Sequence, residues 1–273
     1  MKKNISMRMP YRFLLITVLF LCFSGQDLAA AAPIAPPDAE TQKILQEVAD
    51  AYDAKDFDKA KELLQPLADK NNPFATFVLG LMAARGEGGP QDLQAAESWW
   101  QKSAEAGHPD AQFNLGYMYF RGALGEEGMP KARELWTRAA AVGHPDALFG
   151  LGVMLLNGVG GPQDVAAGLK AFEAAAASGH PLAEFELGIA YIEGHGVNKD
   201  VQKGRELVQR AADKGMPEAK AVLEALGPAE KKPAQAQQNR PRPAQRPTQK
   251  KPEPPAEPPE PQRPAINWGV LPQ

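Results

Sequence analysis

The stretch AGHPDAQFNLGYMYFRG, residues 106–122, returns as VGHPDALFGLGVMLLNG at 142–158 and as SGHPLAEFELGIAYIEG at 178–194. A worn copy, NNPFATFVLGLMAARG, stands at 71–86. The interval is 36 residues throughout. Leu-Gly pairs fall at Leu79-Gly80, Leu115-Gly116, Leu151-Gly152 and Leu187-Gly188, and phenylalanines at Phe77, Phe113, Phe149 and Phe185. A fixed interval of this size implies one supersecondary unit stacked on itself, because a lone unit cannot bury both of its apolar faces.

The unit reads as a helix pair. From Pro73 to Arg85 the apolar residues recur at helical spacing, which defines a helix A. A glycine-rich turn follows, and an aspartate then recurs at Asp56, Asp92, Asp164 and Asp200. Its carboxylate can accept the free N–H groups of a first helical turn, so it marks the start of a helix B. Helix B repeats a bulky residue at Leu64, Trp100, Trp136, Phe172 and Val208, and stops at Gly107, Gly143, Gly179 and Gly215. Glycine adopts the left-handed conformation that ends a helix, and the proline two residues later starts the next one without losing a needed N–H. About eleven helices are therefore expected between residues 38 and 226, with residues 38–70 and 217–226 as end caps. One unit deviates: Gly128 stands where the aspartate should be, beside Glu126 and Glu127, and a looser turn is expected there.

Charge divides the 273-residue chain into three. Residues 1–31 carry a net +3, residues 32–227 a net -10 and residues 228–273 a net +4. The acidic middle argues against nucleic acid as its ligand. The basic start precedes the apolar run FLLITVLFLCF and the small residues LAAAAP, the layout of a signal peptide cut after Ala30 or Ala31. Eleven residues rise about 16 Å as a helix, roughly half of a hydrocarbon core, so a permanent span is not expected. Cys22, the sole cysteine, follows Leu21 and not a small residue, which argues against a lipoprotein. The expected mature chain is exported, periplasmic or secreted, and has neither thiol nor disulfide.

On these residues the chain resembles the Sel-one-like repeat family, relatives of the tetratricopeptide repeats. The carrying segments are Ala111 to Gly122, Gly194 to Asp200 and Ala96 to Ala111; the likeness is clear over residues 73–220 and weak over 38–72. The resemblance implies an all-α fold, an α/α solenoid wound as a right-handed superhelix with helices A on its concave side. It also implies adaptor work on protein partners. Cysteine-rich relatives are linked to β-lactam binding or hydrolysis, but this chain lacks their cysteines and that activity is not carried over.

Chemistry is sparse. His108, His144 and His180 occupy equivalent positions one repeat apart, whereas zinc needs ligands converging to about 2 Å from one ion. They read as turn residues, and His195 as a solvent-facing one. No nucleophile elbow, zinc-protease, phosphate-loop or CxxC motif occurs, so no catalytic residue, metal or cofactor is assigned. Carboxylates abound on any solvated helix, which leaves a cell-wall hydrolase as the rival class. A structural envelope protein tethered by its tail is a third.

The informative positions are those where repeats disagree. Positions 74, 78, 81 and 85 form one helical stripe on helix A. In later repeats the stripe reads Asp110, Asn114, Tyr117, Arg121, then Asp146, Gly150, Val153, Asn157, then Leu182, Glu186, Ile189, Glu193. Mixed apolar, amide and charged groups suit a recognition groove. Plain solvent exposure would look the same. In the groove reading the contacts are Asn114, Tyr117 and Arg121, with Arg85, Asn157 and Glu186 beside them. From residue 228 thirteen prolines and little apolar content imply an extended tail without a core. Residues 231–251 hold seven basic groups and no acid, which suits an anionic surface, a cell-wall polymer or the acidic solenoid itself. The closing INWGVLPQ, with Trp268, reads either as a partner motif or as a ragged end. The expected protein is a monomeric, non-enzymatic scaffold for a protein or peptide partner.

Overall fold

The computed structural model describes residues 37–122 and 125–228. The expected leader and the tail beyond Pro228, including Trp268, lie outside the described residues. The described residues form eleven α-helices and no strand. The A helices are α1 (Ala39–Asp53), α3 (Pro73–Arg85), α5 (Pro109–Phe120), α7 (Pro145–Asn157), α9 (Pro181–Glu193) and α11 (Pro217–Leu226). The B helices are α2 (Phe57–Asp69), α4 (Leu93–Glu105), α6 (Gly128–Ala141), α8 (Val165–Ala177) and α10 (Val201–Asp213). Each helix packs chiefly on its neighbours in sequence, so the molecule is a solenoid of hairpins. No helix among the described residues is long and apolar enough to cross a membrane.

The punctuation works as the residues dictate. Asp56, Asp92, Asp164 and Asp200 each accept the backbone N–H three residues on, at 2.9–3.1 Å. Gly107, Gly143, Gly179 and Gly215 have φ between 81° and 95°, the left-handed turn that frees the chain for the next proline. In the deviant unit a 3-10 turn at Gly125–Glu127 leads into α6, whose N-cap Glu127 makes no side-chain cap bond. Residues 123–124 of that turn lie outside the described residues.

The Leu-Gly pair is explained by the bulky residue of helix B. A Cβ on Gly80 would sit 2.4 Å from the Trp100 ring, and one on Gly116 would sit 2.6 Å from Trp136. The indole N–H groups donate across the same gap, Trp100 to the Phe77 carbonyl at 3.3 Å and Trp136 to that of Phe113 at 3.1 Å. Gly152 meets Phe172 and Gly188 meets Val208 in the same way. The ends of the array depart from this pairing. At the glycine's position α1 carries Ile44, and its B helix offers the smaller Leu64; α11 carries Glu224 and has no B helix after it among the described residues.

Candidate functional site

The variable stripe of the A helices does not behave as one solvent-facing row. On α9 it is open: Leu182 is 44% exposed, and Glu186 and Glu193 also reach solvent. On α3 it is closed, with Val78 and Leu81 buried. Between these ends the row mixes both states. Gly150 admits the Trp136 ring, since a Cβ there would lie 2.7 Å from it. Asn114, one repeat earlier at the same position, is only 3% exposed. The expectation that Asn114 pins a partner's backbone is therefore corrected: its carboxamide is covered, as Val78 is at the same position of α3, and at Gly150 that position meets the Trp136 ring of the preceding repeat.

The other expected contacts are placed as follows. Tyr117 is half-buried and stacks its ring on Phe113, with 6.3 Å between centroids. Arg121 is exposed at the C-terminal end of α5. Asn157 is exposed and donates to the Val153 carbonyl one turn back at 2.8 Å. Arg85 is half-buried, with Glu87 3.9 Å away. Glu186 reaches solvent, yet the protein around it withholds enough water to raise its pKa above the ordinary carboxylate value. Tyr117, Arg121, Asn157, Leu182, Glu186 and Glu193 thus form the accessible part of the row. It mixes the apolar surfaces of Tyr117 and Leu182 with the amide of Asn157 and the charges of Arg121, Glu186 and Glu193.

Beside this row runs a feature the turn residues conceal. His144 and His180 are the N-caps of α7 and α9; each Nδ1 accepts a backbone N–H three residues on at 3.2 Å. That leaves the neutral ring's proton on Nε2, which donates to a carboxylate of the preceding repeat: His144 to Asp110 at 3.3 Å and His180 to Asp146 at 3.1 Å. Burial works against ionisation of Asp110, but the His144 hydrogen bond and the two neighbouring imidazoles outweigh it and hold its pKa below the ordinary value. For Asp146 the His180 bond dominates in the same direction. His108 begins the spine. It finds Phe74 where the others find an aspartate, stacks on Phe77 at 4.6 Å and is 5% exposed. Its Nδ1 has no hydrogen-bond partner among the described residues, and burial pulls its pKa down to about 4. Leu182 and Met216 replace the aspartate and histidine at the far end, where the spine stops.

The Sel1 repeat model matches residues 53–72, 73–108, 109–144, 145–180 and 181–216, five units covering more than half of the chain. The chain belongs to the Sel1 repeat family. A Sel1 repeat protein from Oxalobacter formigenes is 28% identical, with a TM-score of 0.61 over 67% of this chain and 72% of its own. A protective antigen of uropathogenic Escherichia coli displaying an SLR fold is 27% identical, with a TM-score of 0.40 over 63% of this chain and 46% of its own. An immunity protein from Pseudomonas aeruginosa is 21% identical, with a TM-score of 0.47 over 68% of this chain and 69% of its own. No curated protein matches the chain. Sel1 repeat proteins generally act as scaffolds for protein–protein interaction, and the fold is typically non-catalytic.

One polar cluster in this Sel1 repeat protein gives no sign in the sequence alone. Glu184 is 2% exposed, with Arg210 at 3.1 Å and Lys214 at 2.7 Å. Lys214 also donates to the Gly179 carbonyl at 2.7 Å, which ties α10 to the turn before α9. The equivalent residues Thr76, Gln112 and Leu148 share no chemistry with it, so the repeat pattern carries no signal for it.

Proposed function

We propose that the protein is an exported scaffold of the bacterial envelope, and that a protein or peptide partner lies across the open part of the A-helix row. The observation that carries this reading is the row itself. The neighbouring glycine and bulky-residue rows keep one role through the repeats, whereas this row changes chemistry and opens to solvent toward α9. Tyr117 and Ile189 supply apolar contact, Arg121 a planar cation able to bind a carboxylate through two hydrogen bonds, and Asn157 an amide. The leader favours export, and the INWGVLPQ end with Trp268 supplies a second contact on a tether, where linkage turns two weak sites into one strong one.

Affinity capture from envelope extracts with the full-length protein, compared with Tyr117→Ala and Arg121→Ala, tests this. Each substitution is expected to reduce a captured protein several-fold. Arg121→Ala should leave thermal unfolding within about 2 °C of the parent, whereas Tyr117→Ala, which also removes a half-buried ring from Phe113, should lower it by several degrees and leave the protein folded at the temperature of capture. Capture unchanged by either substitution, or lost only in step with stability, would place the partner elsewhere.

A further inference from the structure

The C-terminal half of the A-helix face carries charge of one sign. Its row positions on α7, α9 and α11 hold Asp146, Glu186, Glu193 and Glu218 and no lysine or arginine; the row's two arginines, Arg85 and Arg121, stand on α3 and α5. Between the acids lie exposed Leu182 and the half-buried Val153, Ile189 and Val222, which pack inward on the core clusters and leave apolar edges among the carboxylates, so the face is not a bare acidic patch. Asp146 is engaged by His180, and Glu193 meets the exposed His195 at 2.9 Å. Glu186 makes no ion pair among the described residues, although its surroundings disfavour an uncompensated charge.

The chain itself holds a segment of matching chemistry and reach. Residues 231–251 carry Lys231, Lys232, Arg240, Arg242, Arg246, Lys250 and Lys251 and no acid. They begin four residues after Gly227, the C-cap of α11. Because α11 takes the same place in the repeat as α9, it ends on the side of the face where Glu193 stands. An extended chain covers about 3.3 Å per residue, and α11 is four packed-helix steps of roughly 8–10 Å from α7, at most about 40 Å, so about a dozen residues suffice to pass from one to the other. A tether this short keeps the segment at an effective concentration on the order of millimolar, at which weak ionic contacts suffice for occupancy.

We propose that residues 231–251 lie on the A-helix face of α7, α9 and α11 in the free protein, their cations against Glu186 and Glu193, and that a partner must displace them. The inference rests on the reading of this face as binding ground, and gives that reading an intramolecular competitor.

Zero-length carbodiimide cross-linking of the full-length protein joins a lysine amine to a carboxylate it touches, and mass spectrometry locates the link. Lys231, Lys232, Lys250 and Lys251 are expected to link to Asp146, Glu186 and Glu193 at least several-fold more than to the exposed B-helix acids Glu62, Glu134 and Glu206. The preference should vanish at about 0.5 M salt, where the screening length shrinks to a few ångströms. In the Glu186→Gln, Glu193→Gln double variant, links to Asp146 should fall several-fold. Links spread evenly over both faces, links only between molecules, no links, or links to Asp146 untouched by the double variant would each overturn the proposal. Should it fail while Tyr117→Ala still loses the captured protein, the binding face stands and only its internal occupant is refuted.

Discussion

At the scale of single residues, the contact between Gly80 and Trp100 shows most directly how this sequence makes this fold. The glycine lets the indole lie on the backbone of α3, with its N–H aimed at the Phe77 carbonyl. Gly80→Ala puts a methyl group 2.4 Å from a fully buried ring, so α3 and α4 must separate. Overpacking of this kind costs roughly 1–3 kcal/mol, an expected loss that urea unfolding would register. The first repeat indicates the remedy, since Ile44 there faces a unit whose bulky residue is only Leu64. Gly80→Ala combined with Trp100→Leu should cost less than the sum of the two single changes, because the alanine then fills room the leucine leaves. Strict additivity would mean that the two side chains do not share the space.

At the scale of elements, the helices are joined by the histidine–aspartate spine, and its first member sets a pH dependence. An unfolded imidazole takes a proton below about pH 6.5, whereas buried His108 takes one only near 4. Between those values unfolding takes up a proton, so stability is complete above about 6.5 and falls as pH drops toward 4. The slope is at most about 1.4 kcal/mol per pH unit, or about 3 kcal/mol across the window. Asp110, whose folded pKa is depressed below 3.8, contributes stability that is lost only at lower pH still. His108→Asn copies Asn72, which caps α3 in the worn repeat through its side-chain oxygen at 3.0–3.1 Å. Denaturant midpoints from about pH 7 to 4.5 should fall less steeply in this variant than in the parent; equal slopes would remove His108 as the cause. The spine also marks where sequence reading stops. Helices, caps and the recurrence of the Leu-Gly pair and of the bulky helix-B residue were legible because each repeats at 36 residues; that the glycine and the bulky residue meet is shown only by the packing. The histidines repeat equally well, but their partners stand in the preceding repeat, a relation that periodicity along the chain does not express. Asn114 misled for a related reason: variation between repeats signals exposure only where the packing around the position leaves room, and Asn114, like Val78 one repeat earlier, is buried although the residue type changes.

At the scale of the whole molecule, the repeats are alike in shape but graded in packing. The bulky residue of helix B declines from Trp100 and Trp136 through Phe172 to Val208. The main apolar cluster runs from Leu45 on α1 to Met154 on α7, a second joins α7 to α10, and a small one holds α11. Because each hairpin contacts only its neighbours, stability is close to a sum of local terms, and such an array need not unfold as one unit. The C-terminal repeats should therefore open first. Trp99, Trp100 and Trp136 all lie on α4 and α6, so in a Trp268→Phe background tryptophan emission follows the N-terminal part, while far-ultraviolet circular dichroism follows every helix. Helical signal should be lost at lower urea than the tryptophan signal, and amide protons of α10 and α11 should exchange faster than those of α4 and α5. Coincident transitions with uniform protection would mean that the clusters act as one core. The graded reading would then fail.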